Sequence, residues 1–216
     1  WQAAGLNDLD VKCLNIEAHR LTHIVQIEVQ FGHYYQGKLL LATRWKYEID
    51  AQGALAIDVD LRAAKSLPPL ARVGLELVLP DTDKLVDWFG RGPHENYPDR
   101  ILSAHIGRHC CSVEEMHTPY IFPTESGLRS DVKEANVGDL TVTGDFHLSV
   151  SRYSQANVAE AKHSNELIAE EQLYLRLDGF HMGVGGDDSW SPSVHQEFLL
   201  NKERYHYQMT LAFIDK

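Results

Sequence analysis

Strict alternation of apolar and polar residues is the feature that most constrains the fold of this chain. The segment from Tyr205 to Phe213 is apolar at every odd-numbered position and carries His, Gln, Thr and Ala at the positions between. The same period recurs in four earlier segments, at 25–31, 39–49, 55–59 and 73–79. A period of two places successive side chains on opposite faces, which is typical of antiparallel strands with one buried face and one solvated face. Residues 32–37 are expected to form the hairpin connection between the first two of these strands.

Helix signals are few. Ser154 is a candidate N-cap for a short helix over 155–163, before a further strand around 173–177. The middle of the chain, about 90–140, is longer than a structureless loop usually is, so it contains either further strands or a functional loop region. The pattern predicts one domain over 1–216, built as an all-β, large antiparallel sandwich.

Composition excludes several classes of function. Among the 216 residues, 20 Lys and Arg stand against 31 Asp and Glu, and the net charge of −11 opposes binding to nucleic acid. The three cysteines, Cys13, Cys110 and Cys111, do not form a disulfide framework and favour a reducing cytoplasm. There is no apolar run of the roughly 20 residues that cross a bilayer, and no signal peptide is recognisable. Because the chain opens on Trp1, we expect an excised segment rather than a complete product.

The most unusual segment is rich in glycine and covers residues 179–192. Its glycines allow positive φ and close approach of the backbone, and they precede two aspartates and a single tryptophan, Trp190. An indole on such a loop either stacks on the apolar face of a sugar or fills the end of the sandwich. The candidate site comprises Trp190 with its supporting residues Gly185, Gly186, Asp187, Asp188, Ser189, Ser191 and Pro192.

Other chemistries fit this chain poorly. The glycines lack the Lys and Ser/Thr of a phosphate loop, and the aspartates lack the alternating oxygen ligands of a calcium loop. We expect Asp187 and Asp188 to bond to backbone amides of their own turn. His105, His109 and His117 lie four and eight residues apart, but without a zinc signature they predict no metal site.

A glycosidase needs two carboxyl groups about 5–10 Å apart. With 31 acids in the chain, candidates arise by chance, so no catalytic residue is predicted. The segment 91–100 is dense in turn-forming residues and in Glu, Asp and Arg that are able to pair, and it indicates a rigid architectural corner. The candidate carboxyl groups for a glycosidase pair in the middle region are Glu95, Asp99, Glu114, Glu115, Glu125 and Glu134.

Several of these segments resemble the family two β-galactosidases, the large bacterial lactose-hydrolysing enzymes. The resemblance is carried by GRGPHENYPDR (90–100), TPYIFPTESGLRSDV (118–132), SRYSQ (151–155), LDGFHMGVGGDDSWSPSV (177–194) and RYHYQ (204–208). It implies a galactose-mutarotase-like supersandwich that forms the last of several domains. It also implies that the glutamates acting as acid/base and nucleophile lie on a separate (β/α)₈ barrel, so that this chain is inactive alone.

In this family the tryptophan of the DDSWSPSV loop, here Trp190, reaches the active-site mouth as a platform for the β-galactoside. The resemblance places the magnesium and sodium ligands on other domains, so no cofactor is expected in this one. It implies a cytoplasmic homo-oligomer whose partners are the other domains of the same polypeptide. The family's terminal domain begins before residue 1, so the first strands are expected to be lacking and strand edges to be exposed.

Two alternatives remain open at this stage. The fold implied by the resemblance, together with available histidines and glutamates, is compatible with a stand-alone aldose mutarotase. The chain could instead be a small subunit or assembly module of a two-chain β-galactosidase.

Overall fold

The computed structural model describes residues 1–80, 85–188, 190–191 and 194–213, and this part of the chain is almost entirely β-structure. It contains two short helices, α1 (Val113–Met116) and α2 (Gln155–Glu160), and three 3-10 turns, at Gln2–Ala4, Ser164–Glu166 and Gln196–Phe198. The strands are β1 (Asp10–Arg20), β2 (Ile24–Tyr35), β3 (Lys38–Asp50), β4 (Leu55–Ala63), β5 (Arg72–Leu79), β6 (Val86–Gly92), β7 (His105–Cys111), β8 (Arg129–Val137), β9 (Leu140–Ser151), β10 (Leu173–His181) and β11 (Arg204–Phe213).

The strands are hydrogen-bonded in the order β1-β2-β3-β4-β11-β9-β8-β6-β7, and β10 joins β5 to β9. Every pairing between them is antiparallel. Strand β9 is the branch point, because residues 140–144 pair with β11 while residues 147–151 pair with β10. A strand that changes partner in this way bends the sheet around a shared core. The prediction of an all-β antiparallel sandwich is confirmed.

The alternating pattern of β11 is explained by this core. Tyr205, Tyr207, Met209 and Leu211 are buried against β4, β9 and β10, as the period of two predicts. Phe213, the last apolar position of the pattern, is 70% exposed. That part of the prediction is wrong, because β11 runs past the edge of the core before the pattern ends.

The hairpin between β2 and β3 is tighter than predicted. The strands continue to Tyr35 and from Lys38, so the connection is the two-residue turn Gln36–Gly37 rather than 32–37. Both turn residues have positive φ, 49° and 77°, as the twist of a two-residue hairpin requires. Gly32 lies inside β2, where a Cβ would lie 2.6 Å from the ring of Tyr34. Its glycine therefore provides space for a neighbouring ring and does not mark a turn.

The long middle region contains regular structure. Strands β6, β7 and β8 and helix α1 all lie within or across 90–140, which decides between the two possibilities that the sequence left open. Ser154 accepts a hydrogen bond from the amide of Asn157, so the predicted N-cap is confirmed. Helix α2 ends at Glu160, three residues earlier than expected, and Ala161 already has extended backbone.

Strand β1 is exposed along its whole length. All eleven of its residues are solvent-accessible, and among the described strands it pairs only with β2. Val11, Leu14 and Ile16 on this strand are each more than half exposed. An edge strand of this length with apolar side chains is a surface suited to contact with further protein.

Candidate functional site

The glycine-rich segment is the connection between β10 and the 3-10 turn that precedes β11. It leaves the sheet at His181, and Trp190 on this segment is 87% exposed to solvent. The indole therefore does not fill the end of the sandwich, which was the architectural alternative for this residue. Of the supporting residues, Ser189 and Pro192 lie outside the described part of the chain.

The tip of this loop is organised by Asp188. Its Oδ1 accepts hydrogen bonds from the amides of Trp190 (3.0 Å) and Ser191 (2.8 Å) and from the Ser191 hydroxyl (2.8 Å). The Ser191 hydroxyl and then the two amides lower the pKa of Asp188 below its ordinary value. Because the ionised carboxylate is the better acceptor, the turn that carries Trp190 is stabilised at neutral pH. The prediction that Asp188 bonds within its own turn is confirmed.

Asp187 forms a side-chain contact that the sequence did not predict. His195 Nε2 lies 3.0 Å from Asp187 Oδ1 and 3.1 Å from Oδ2, so this carboxylate pairs with a side chain eight residues along. Ser189 lies outside the described residues, so bonding of Asp187 to amides of its own turn stays a prediction. Both side chains are about half exposed or more, which limits the energy of the contact. The contact nonetheless joins the two ends of the Trp190 turn.

The start of the loop is held by residues distant in sequence. Asp99 accepts hydrogen bonds from the amides of Val184 (3.2 Å) and Gly185 (2.7 Å). The amide of Gly183 donates to the carbonyl of Phe198 at 2.9 Å. Gly186 has a φ of 122°, the one glycine between 179 and 186 with positive φ. The described residues of the predicted site thus lie together on one braced loop, and the sequence did not identify Asp99, His195 or Phe198 as part of it.

The segment 91–100 is the rigid corner that its sequence indicates. Glu95 pairs with Arg100 at 3.0 Å and accepts the amide of Gly127 at 2.7 Å. Asn96 is fully buried, and its side-chain oxygen accepts the amide of Ser130 at 2.9 Å. This cross-linking fixes the backbone that presents Asp99 to the loop.

A second group of charged residues lies beside the sheet. Arg72 binds Asp178 through two guanidinium nitrogens and Glu125 through a third, at 3.1 Å. Burial acts to lower the pKa of Arg72, but the attraction and hydrogen bonding of Asp178 and the attraction of Glu125 together outweigh it, and the pKa is raised. Glu125 also accepts the Tyr97 hydroxyl at 3.3 Å.

A cleft of about 620 Å³ adjoins this group. Its charged side chains are engaged with each other or with neighbours: Arg72 and Glu125 as above, and Arg176 with Glu76 at 2.7 Å. The cleft therefore offers a ligand few uncommitted charged groups, and the arrangement is that of a structural ion-pair network.

Two of the three spaced histidines share one strand, and the third follows a helix. His105 and His109 lie on β7, and His109 Nε2 is 3.1 Å from the His105 carbonyl. His117 follows α1, and its ring packs edge-on against Tyr153. Across the described residues, no group of three or more His, Cys, Asp or Glu side chains is arranged to hold a metal ion. None of the described helices has the length and apolar character needed to cross a membrane.

Fold and loop together define a β-sandwich module that presents the indole of Trp190 to solvent on a carboxylate-braced turn. Comparison with known proteins identifies its family: a family model described as beta galactosidase small chain matches residues 1–211. The chain belongs to this family, which confirms the resemblance found in its sequence motifs.

Long bacterial proteins contain close relatives of this chain. The beta-galactosidase of Psychromonas ingrahamii is 68% identical over 213 residues, which are 99% of this chain and 21% of that protein. The beta-galactosidase of Vibrio cholerae is 54% identical over 211 residues, 98% of this chain and 21% of the relative. That of Photobacterium profundum is 49% identical over 213 residues, with the same two shares. The chain thus spans about a fifth of the length of these relatives.

Proposed function

We propose that this chain is the non-catalytic C-terminal domain of a retaining β-galactosidase, in which Trp190 forms an aromatic platform at the mouth of the sugar site. The observation that carries the proposal is the 87% exposed indole on a loop braced at its start, tip and end. A large aromatic ring held out on a braced loop is suited to contact with a binding partner, because an indole combines a broad apolar face with a polar N–H group. The relatives named beta-galactosidase favour a terminal β-D-galactoside such as lactose as that partner.

The proposal assigns bond cleavage to residues outside this chain. Two glutamates on the barrel domain would act as acid/base and nucleophile, and other domains would bind magnesium and sodium. The acids of the middle region support this division, because four of them are committed to arginines: Glu95 to Arg100, Glu114 to Arg152, Glu125 to Arg72 and Glu134 to Arg108. A glycosidase pair must instead face an open substrate across the scissile bond. We further propose a cytoplasmic homo-oligomer as the working form of the intact protein.

The size of the platform's contribution follows from the area that a sugar covers. Stacking over about 80 Å² of indole at about 25 cal/mol per Å² stabilises the complex by about 2 kcal/mol. That energy corresponds to a roughly 30-fold change in affinity. Because the exposed ring contacts little of its own domain, its removal leaves folding almost unchanged.

The test is steady-state hydrolysis of a β-galactoside by the intact polypeptide carrying Trp190→Ala. We expect KM to rise about 30-fold if the ring binds substrate and transition state equally, with kcat reduced as well if the ring also orients the sugar. Trp190→Phe retains a stacking face and should recover part of the loss. Phe122→Ala removes an aromatic ring that is 64% exposed on another loop and should leave both constants unchanged. Wild-type KM and kcat in Trp190→Ala would refute the platform role.

A second candidate is an assembly role, including that of the small subunit of a two-chain enzyme, and the exposure of β1 favours it. We propose that a strand from elsewhere in the intact protein pairs with the free edge of β1 and covers Val11, Leu14 and Ile16. Mixing this chain with a β-galactosidase that lacks it tests the two-chain form, since recovery of activity requires independent docking. The stand-alone mutarotase is not favoured, because the relatives covering nearly the whole chain are named beta-galactosidase.

A further inference from the structure

The start of the Trp190 loop is held by the carboxylate of Asp99, a residue distant in sequence. Asp99 lies more than 80 residues before the loop, yet its Oδ2 is 2.7 Å from the amide nitrogen of Gly185 and its Oδ1 is 3.2 Å from that of Val184. A carboxylate that receives two consecutive amides fixes both the position and the direction of the backbone. Four residues separate Gly185 from Trp190.

The glycines of the loop are explained by this contact. A Cβ on Gly183 would lie 2.6 Å from Asp99 Oδ2 and 2.9 Å from Phe198 Cβ, and one on Gly185 would lie 3.2 Å from Asp99 Oδ2. Neither residue has positive φ. A side chain at Gly183 would therefore displace Asp99 or Phe198, and one at Gly185 would press on Asp99, so both glycines serve the close approach of Asp99 rather than an unusual backbone conformation.

The carboxylate is itself presented by a rigid segment. The amide of Arg100 donates to the carbonyl of Tyr97 at 2.7 Å, closing a turn around Asp99. The Arg100 guanidinium pairs with Glu95 at 3.0 Å and lies 5.1 Å from the centre of the fully buried Tyr97 ring. This turn is anchored in the core, so Asp99 keeps its position whatever the loop does. The carboxylate therefore determines where the loop begins.

We infer that Asp99 is a positioning residue for substrate binding: it holds the start of the loop so that Trp190 stands at a fixed place in the sugar site. The inference rests on the proposed function of Trp190. Loss of the carboxylate frees the amides of Val184 and Gly185 and lets the indole sample other positions. If the indole has to be ordered each time the substrate binds, the free-energy cost of that ordering lowers the affinity for the substrate.

The experiment uses the intact polypeptide with Asp99→Asn, Trp190→Ala and both substitutions together, assayed with a β-galactoside. Asparagine is close in shape to aspartate, but it is uncharged and places an amide group opposite one of the two donors. We expect KM to rise about tenfold in Asp99→Asn, the net loss typical of one hydrogen bond to a charged group. In the Trp190→Ala background the same substitution should change KM less than twofold, because the platform that it positions is gone. Asp145→Asn, an exposed aspartate paired with Lys133 on another strand, is the matched control and should leave KM unchanged.

Hydrogen exchange of the peptide covering residues 182–191 gives a readout that does not depend on activity. Exchange should be faster in Asp99→Asn than in the wild type and unchanged in Asp145→Asn. If Asp99→Asn raises KM equally with and without Trp190, the residue acts by another route and the inference is wrong. It is also wrong if Trp190→Ala raises KM while Asp99→Asn changes neither KM nor exchange. If Trp190→Ala has no effect, the proposed function fails and a binding role for Asp99 falls with it, whatever the exchange data show about the loop.

Discussion

The buried ion pair between β5 and β10 provides a sharp test of what holds this domain together. Asp178 has a side chain that is 3% exposed, and it binds the guanidinium of Arg72, which is 18% exposed. The two residues come from neighbouring antiparallel strands, and Glu125, in the loop between α1 and β8, contacts the same guanidinium. Asp178→Asn keeps the shape of the side chain but removes the charge that compensates Arg72.

The expected cost follows from the burial of the pair. Removing one partner of a buried pair costs about 3–5 kcal/mol, because the remaining charge stays out of water without compensation. Glu125 still binds Arg72 in the variant, so we expect the lower end of that range, about 3 kcal/mol. Asp145→Asn makes the same chemical change in the Lys133 pair, where the side chains are 81% and 54% exposed. An exposed pair contributes about 0–1 kcal/mol.

The two variants are compared by urea unfolding followed by tryptophan fluorescence, to which the fully buried Trp88 contributes. The difference in unfolding free energy at constant slope gives the cost of each substitution. An Asp178→Asn variant that loses no more stability than Asp145→Asn would falsify the assignment of this pair to the buried framework. A changed slope would instead indicate that the variant is no longer compared with the same unfolded state.

Two further predictions concern pH and packing. Burial lowers the pKa of His147 in the folded state, so the unfolded state binds a proton at higher pH than the folded state does. The free energy of unfolding is therefore highest above the ordinary histidine pKa of about 6.5, and it falls as the pH decreases towards the folded pKa. His147→Gln should flatten the fall in unfolding free energy between pH 7.5 and 5.5, and an unchanged slope would contradict this assignment. Gly90→Ala should destabilise the domain by about 1–3 kcal/mol, because the new Cβ would lie 2.8 Å from the backbone of Val132 on β8, where little can move. Alanine at the exposed turn residue Gly53 has open space, so its cost should be limited to its positive φ, and thermal unfolding that ranks Gly53→Ala as the more damaging change would refute the packing argument.

Among the strands that the sequence predicted, β4 and β11 are those with one continuous buried face. In β4 and β11 the period of two is unbroken, and the register of their pairing shows no bulge. In β1 the register shifts between Cys13 and Asn15, and in β8 it shifts on both sides of Val132. A bulge inserts one residue and moves the apolar positions to the other face, so a strict alternation does not detect these strands.

The remaining strands of the middle region were hidden by composition. In β6 the buried positions after Trp88 are Gly90 and Gly92, which carry no hydrophobic side chain to mark the buried face. In β8 the buried face begins with Arg129, a cation that lies 5.5 Å from the Trp88 ring and donates to the carbonyl of Pro93 at 2.9 Å. A buried arginine satisfied by carbonyls and a ring has the sequence appearance of a surface residue, although its energy depends on being enclosed.

In the candidate site, the contacts within one turn were predictable from the sequence, and the contacts between distant segments were not. The Asp188 turn was predictable, because an aspartate that caps the amides two and three residues later needs only its own neighbours. Asp99 was not, because nothing in the local sequence of 91–100 or 179–192 indicates that one segment supplies the acceptor and the other the amides. What the sequence did show was two glycines at the point where that carboxylate approaches, and it left open whether they serve positive φ or close approach of the backbone. Glycine has two physical uses, freedom of φ and absence of a side chain, and only the fold determines which of them Gly183 and Gly185 serve.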